Sequence, residues 1–419
     1  MHQRRRVARG AAVAALSILT LVSCGGAGDA SGPRSGGTGG DAPGASGNAN
    51  GDPGGGGNDD GESTTASTAT PTTAPPRQFT IAASGDILLH NFVIQEGKAN
   101  AGPKGTYDFD PMFAKVKDTI SAADFAICHQ ETPIAMDNKN LTVPRTLSFN
   151  APKEIGLALK NAGFDACDTA SNHTYDRGLA GVQQTLDVLD EYGIGHSGSA
   201  RDEAEASMPP IYDVKGVRVG HLAYSYTITN DGGPSTYVPP DAPWLKSMLW
   251  PAIGAPGILE QAKALKARGA EFVVVSIHWG DQYVTAPNAQ QRQLAKDLLS
   301  SPDVDLILGD HVHVVQPCEK IGDKYVMYGM GNFLSNQSPQ QDRTLKSDNQ
   351  DGSLETYTVD EVSPGRFKVT KMVYAPTWVT IPGHVINFAT PAEFADSYQR
   401  TVKAVTSLGP GACDAVPAA

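Results

Sequence analysis

From Phe79 onward, short apolar runs alternate with stretches whose apolar residues recur at helical spacing, the pattern of a βαβ protein. Phe79-Thr-Ile-Ala-Ala83 is predicted as a strand that stops at Ser84-Gly85-Asp86. Asp124–Cys128 is a second strand, ending at Glu131, and Phe164–Asp168 a third, ending at Ser171-Asn172-His173. Between Gly178 and Tyr192, Val182, Leu186 and Leu189 fall at helical spacing, and Gly193 stops the helix. Ile211 to Tyr224 reads as a hairpin turning at Lys215-Gly216. The run Phe272–Ile277 is apolar but for Ser276 and reads as a buried strand delivering His278. A helix over Gln290–Leu299 leads to a strand over Val304–Leu308 that delivers His311 and His313. A second hairpin, Val314 to Tyr328 through Gly322-Asp323, precedes Gly329-Met-Gly-Asn332-Phe333. The stretch from Thr227 to Pro256, rich in Pro, Gly, Asp and Trp, is expected as an irregular insertion, and Pro391–Leu408 as a C-terminal helix.

Five strand ends thus each release a metal-competent side chain. In open α/β sheets ligands bind outside the carboxyl ends of strands, so residues far apart in sequence converge on one rim. The candidates are Asp86, His90, Glu131, Asn172, His173, His278, His311 and His313. Each has a plainer alternative: Asp86 capping a turn, Glu131 as a solvated charge, Asn172 in a left-handed turn, His278 as a satisfied core histidine. Taken together, carboxylate, amide oxygen and imidazole make a donor set suited to Mn, Fe or Zn rather than to Ca or a thiolate-loving metal. His-x-His at a strand exit points both rings at one rim if the turn bends. Trp279, Tyr283 and Asn332 are candidates for a substrate groove or for packing.

The N-terminus changes the picture of where this domain works. Arg4, Arg5, Arg6 and Arg9 precede an apolar run, Ala11–Val22, too short for a permanent membrane span. It ends in Leu21-Val22-Ser23-Cys24, which resembles the lipobox of bacterial lipoproteins, with Cys24 acylated. Residues 1–24 are therefore expected to be a lipoprotein signal peptide. Multiple acyl chains on Cys24 would anchor the exported protein stably to the outer face of the cell membrane. Residues 25–77, almost free of large apolar side chains, cannot offset their ordering entropy and are expected to form a disordered Gly/Ser/Thr/Pro linker. Residues 78–390 are read as the domain, and 391–419 as a C-terminal helix and tail.

Four further cysteines, Cys128, Cys167, Cys318 and Cys413, permit two disulfides in an exported domain. Cys128 and Cys167 lie in apolar segments read as neighbouring strands, which favours that pair and leaves Cys318 with Cys413. The absence of C-x-x-C argues against redox catalysis and thiolate zinc sites. A formal charge of −12 and a pI near 5.3 argue against nucleic acid as a partner. There is no G-x-S-x-G elbow and no Walker loop, and Gly329-Met-Gly331 lacks the third glycine of a dinucleotide fingerprint.

The order of these pieces resembles the CapA family of poly-γ-glutamate capsule biosynthesis proteins, within the calcineurin-like metallophosphoesterase superfamily. The resemblance runs from about Phe79 to Gln337 and rests on Ser84-Gly85-Asp86, Gly163-Phe164-Asp165, Ser171-Asn172-His173-Thr174, Ser276-Ile-His278-Trp279-Gly280, Asp305 through His311-Val-His313-Val-Val-Gln316-Pro317, and Gly331-Asn332-Phe333. It implies a metallophosphoesterase-like α/β sandwich of mixed sheets flanked by helices, with the metal site at the carboxyl ends of strands. It implies two divalent ions, the first held by Asp86 and His313, the second by Asn172, His278 and His311, with Glu131 bridging. His173 would then face the substrate and protonate a leaving oxygen. His90 is a candidate for metal or substrate, because the superfamily has D-x-H where this chain has D-x-x-x-H. The family often carries Asn-Leu-Glu in place of His129-Gln130-Glu131, His in place of Asp310, and Glu in place of Gln282.

The implied partners are an anionic polymer or phosphoester substrate, the membrane through the lipid anchor, and a membrane-bound polymer synthase. The implied function is biosynthesis or export of an anionic envelope or capsule polymer, by metal-dependent phosphoester hydrolysis. The alternative is a non-catalytic accessory lipoprotein that binds such a polymer.

Overall fold

The computed structural model describes residues 75–230 and 232–418. The leader, Cys24 and the linker up to residue 74 lie outside these residues. Two mixed sheets pack against each other. The larger runs in the order Val385–Phe388, Arg366–Thr380, Asp351–Ser363, Gln78–Ile87, Phe125–Gln130, Ala166–Asp168, Gly195–Ser197, and its last four strands are parallel. The smaller runs Cys318–Ile321, Lys324–Met327, Leu306–Asp310, Phe272–His278, Val217–Ser225, Ile211–Val214, with the middle four parallel. This is the α/β sandwich of mixed sheets that the resemblance implied.

Strand alternation sorts the core into layers. Phe79, Ile81, Ala83, Phe125, Ile127 and Ala166 meet Phe272, Val274, Leu306 and Leu308 between the sheets. The opposite faces carry Ala82, Ala126, Cys128 and Cys167 toward the helices Asn91–Asn100 and Glu154–Ala162. Val273, Val275 and Ile277 face the helices Trp250–Ala267 and Ala289–Leu299. Each such fully buried aliphatic or aromatic side chain contributes ~1.5–3 kcal/mol, which explains why the run Phe272–Ile277, covered on both faces, is apolar at nearly every position. Cys128 and Cys167 stand directly opposite in register and are joined, and a second disulfide ties Cys318 to Cys413. The hairpin at Lys215-Gly216 turns with both residues at positive φ, 52° and 75°.

Two expectations need correction. The segment Thr227–Pro256 is irregular only in its first half. A 3-10 turn over Pro243–Met248 follows, and then a helix over Trp250–Ala267, interrupted where Gly254 takes φ 62°. Gly254 and Pro256 hid this helix by breaking the apolar period, although Ile258, Ala262 and Leu265 keep it afterwards. The C-terminal helix is shorter than Pro391–Leu408 and spans Ala395–Val405. The long antiparallel pair Asp351–Ser363 and Arg366–Thr380 went unread. Its inward face mixes Glu355 with Tyr357 and Val359, and it ends in charged residues, so it has no clean apolar run. Among the described residues no helix is long and apolar enough to cross a membrane.

Candidate metal centre

The alternation that buries Phe125 and Ile127 between the sheets sends His129 the same way one step further on. The same parity carries Asp168 after Ala166, His278 after Val274, and Asp310 after Leu308. Four side chains from both sheets therefore point into the sandwich at the carboxyl ends of its parallel strands.

Asp86 arrives differently. The pairing of Gln78–Ile87 shifts register between Ala83 and Asp86, where Gly85 passes so close to Gly331 that a Cβ would lie 2.0 Å from the Gly331 carbonyl oxygen. The Asp86 amide donates to that carbonyl at 2.9 Å. The Asp86 carboxylate accepts from the His311 amide at 3.2 Å and lies 3.0 Å from His313 Nδ1. His311 and His313 both have positive φ, 91° and 55°, conformations that cost about 1–3 kcal/mol each in non-glycine residues. Asp86 and Asn332, whose Oδ1 lies 3.1 Å from His313 Nδ1, help to hold that turn.

Three groups of buried side chains bring one ligand atom each within 4.8 Å of the others: Asp86, His129 and His278; Asp86, Glu131 and His313; His129, Asp168 and Asp310. Asn172 Oδ1 lies 2.8 Å from His278 Nε2, and Glu131 Oε1 lies 3.7 Å from His313 Nε2. The His311 ring, outside these three groups, is 4.5 Å from that of His278 and 4.4 Å from that of Tyr226.

His173 and His90 stand apart, both edge-on to Phe149 at 4.6 and 5.2 Å. His173 Nδ1 is 2.9 Å from Asp176 Oδ2, and its amide donates to Ser171 Oγ, which itself donates to the Glu131 carbonyl. Burial depresses the His90 imidazole to about 3, so that ring is neutral.

The electrostatics of the rim are unusual for a protein interior. Glu131 is 1% exposed and neither carboxylate oxygen has a hydrogen-bond partner. The same holds for both oxygens of Asp310 and for His129 Nε2, His278 Nδ1 and His311 Nδ1. A buried polar atom without a partner costs about 1–3 kcal/mol, more if charged, and native folds hold few of them. Among the described residues no lysine or arginine pairs with Asp86, Glu131, Asp168 or Asp310, whose ion-pair partners are all histidines. Burial pushes the Glu131 and Asp310 carboxyls up and the His278 and His311 rings down. Burial opposes charge on Asp86 too, but His313 and His129 outweigh it and hold that carboxyl low. His313, desolvated yet flanked by Glu131 and Asp86, sits at about 9. Carboxylates and imidazoles massed without a lysine or arginine and with unused lone pairs suit divalent cations of the Mn, Fe or Zn class.

Of the side chains read from the sequence, Asp86, Glu131, His278 and His313 fall within the three groups, and Asn172 and His311 adjoin His278. His129, Asp168 and Asp310 were missed as candidates. The signal for them is strand parity, since each continues the inward-facing face of its strand. Asp176 was missed because its spacing from His173 matches no short motif. Trp279 belongs to the core, its indole donating to the Tyr328 carbonyl. Tyr283 is 42% exposed, with its ring 5.9 Å from His313. Beside His311 opens a crevice of about 290 Å³ lined by Tyr226, Asn230, Trp250, Asp281 and Asn288.

Residues 80–337 match the profile of a family described as bacterial capsule synthesis protein PGA_cap. The chain is 28% identical over 287 residues to the PGA biosynthesis protein CapA of Bacillus subtilis, covering 68% of this chain and 69% of that one. It is 26% identical over 233 residues to the capsule biosynthesis protein CapA of Bacillus anthracis, covering 55% of each. A solved structure described as a novel phosphatase of Mycoplasma pneumoniae aligns with 72% of this chain and 95% of its own, at 14% identity and a TM-score of 0.39.

Proposed function

This chain belongs to the bacterial capsule synthesis protein family, and from that premise we propose that its buried rim holds two divalent cations and acts on an anionic envelope polymer or a phosphoester precursor of one. The observation that carries the reading is Glu131, a buried carboxylate whose two oxygens accept no hydrogen bond among histidines and further carboxylates. Asp86 and His313 would hold one ion, Asn172, His278 and His311 the other, with Glu131 between them. When bound, the cations supply Lewis-acid charge for an anionic substrate oxygen.

The chain's own residues do the rest. Asp176 engages His173 Nδ1 and fixes the ring, leaving Nε2 to hand a proton to the leaving oxygen. Asp86 and Asn332 keep the strained 311–313 turn in place. The crevice beside His311 gives the substrate amide groups and aromatic faces to lie against. The names of the Bacillus relatives support a polymer of the PGA or capsule type. Two disulfides support an oxidising compartment, in keeping with export and a lipid on Cys24 at the outer face of the cell membrane.

The test is metal content and aryl phosphate hydrolysis of the purified full chain. Turnover abolished by chelator and reduced roughly 10²–10⁴-fold in His173→Ala is the expected result. Stoichiometric metal without turnover, indifferent to His173→Ala, would assign the site to a binding accessory instead. Failure to take up any divalent ion would remove both.

A further inference from the structure

We propose that His129 is an additional metal ligand of this centre, acting through Nε2, and that Asp168 is the carboxylate that orients it. The proposal rests on the two-cation reading above and goes beyond it. His129 is 1% exposed, and its two nitrogens stand in different surroundings. Nδ1 lies 2.6 Å from Asp168 Oδ1, with Asp310 Oδ2 behind it at 4.0 Å. Nε2 has no hydrogen-bond partner; its nearest carboxylate oxygen, Asp86 Oδ1, is 3.8 Å away. The ring stacks on that of His278 at 4.8 Å, and Asp86, His129 and His278 form one of the three groups with converging ligand atoms.

An unpartnered nitrogen alone does not mark a ligand, since the buried His221 and His384 rings each have one too; what sets His129 apart is that its Nε2 faces other metal-competent side chains, Asp86 and His278. A doubly protonated His129 within its carboxylate cage would still leave a buried Nε2–H with no acceptor in reach. With the proton held on Nδ1 by Asp168, the Nε2 lone pair faces Asp86 and His278, and a cation there gives it a partner. Metal-ligating histidines are commonly oriented in this way by a carboxylate on the far nitrogen. The competing use of the same residues, a separate cation among His129 Nδ1, Asp168 and Asp310, would have to displace the proton from the 2.6 Å contact.

Cobalt(II) titration of the metal-free full chain, followed by visible absorption and proton NMR, separates these outcomes. About two equivalents should bind, with paramagnetically shifted, exchangeable imidazole N–H resonances from the ligating histidines. His129→Asn should remove one such resonance and weaken one binding step by at least roughly 10–100-fold. Asp168→Asn should leave the stoichiometry intact while weakening the same step less and moving the same resonance. Unchanged affinities and an unchanged set of resonances in His129→Asn would overturn the proposal while leaving the two-cation reading in place. Should His129→Asn fail to fold by circular dichroism, an Asp168→Asn protein with wild-type affinity and spectrum would overturn it equally. A third equivalent that disappears in Asp310→Asn would also overturn it, by giving the pair to a separate ion. If the wild-type chain binds no cobalt, both readings fall together.

Discussion

The two ends of the parallel strands use the same residue types to opposite purpose. At the amino ends, Arg77 forks between Glu361 and Glu271 at 2.9 and 2.6 Å and donates to the Gly216 carbonyl, while Lys266 pairs with Asp305 at 2.7 Å and Lys215 with Asp124 at 2.8 Å. Each of these acids meets a cationic side chain that the chain itself supplies. At the carboxyl ends Asp86, Glu131, Asp168 and Asp310 meet only histidines, and several lone pairs meet nothing. One rim is closed by its own charges and the other is left open to charge from outside. The amino rim needs only to be stable, whereas the carboxyl rim carries unsatisfied groups and a turn with two strained histidines.

The contrast breaks most sharply at Glu131. Without metal, Glu131→Gln removes a desolvated acid and should leave the protein as stable as wild type or more so. Saturating Mn(II) should reverse the order. A ligand at a thousandfold excess over its dissociation constant stabilises the native state by about 4 kcal/mol, or roughly 6 °C for a domain of this size. The wild-type chain should show that rise and Glu131→Gln should lose most of it. Equal melting temperatures with and without Mn(II) in wild type would mean that the open rim is not completed by cations.

How much of this was legible beforehand follows from how each residue reaches the site. Asp86, Asn172, His278, His311 and His313 stand at or just after apolar strands, so their convergence could be read from strand ends alone. His129, Asp168 and Asp310 sit within the last turns of the same strands. Asp168 already closed the strand read from the sequence, in parity with Ala166, whereas His129 and Asp310 fell just past strands read to Cys128 and Leu308 that in fact run on to Gln130 and Asp310. The pairing of Asp176 with His173, and that of Asn332 with His313, depend on turn geometry and on contacts between distant segments, which leave no periodic trace. In the fold, the parallel strands announced themselves through apolar runs. The Asp351–Thr380 pair did not, because its inward face carries Glu355.

Glu355 sharpens the comparison from the middle of the sandwich. It is fully buried; Ser353 Oγ donates to Oε1 at 2.5 Å, and Oε2 has no partner. Burial pushes its carboxyl up to about 8. An acid raised on folding stabilises the native state fully below its unfolded pKa and loses that contribution as pH rises through the folded value. The wild-type chain should therefore lose stability between about pH 4.5 and 8 from this group, on the order of a few kcal/mol. Glu355→Gln should match wild type near pH 4 and exceed it increasingly up to pH 8 in urea unfolding. A difference that does not vary with pH would show that Glu355 ionises freely and is not confined as its burial implies.

The smallest effect is expected at the amino rim. Arg77 is about one-third exposed, so water and salt screen its pairs, although its hydrogen bond to Glu361 draws that carboxyl down to about 2. Its guanidinium also lies 4.8 Å above the Phe367 ring, so Arg77→Ala removes packing as well as charge. The melting temperature should fall by a few degrees, less at high salt, and Mn(II) should raise it by as much as in wild type. The second half of that expectation carries the argument. Glu271 immediately precedes the strand that ends in His278, so a rigid coupling of the two rims through Phe272–His278 would make Arg77→Ala weaken metal binding too. An unchanged Mn(II) shift would mean that the strand transmits nothing between its ends, and that each rim answers only to the charges beside it.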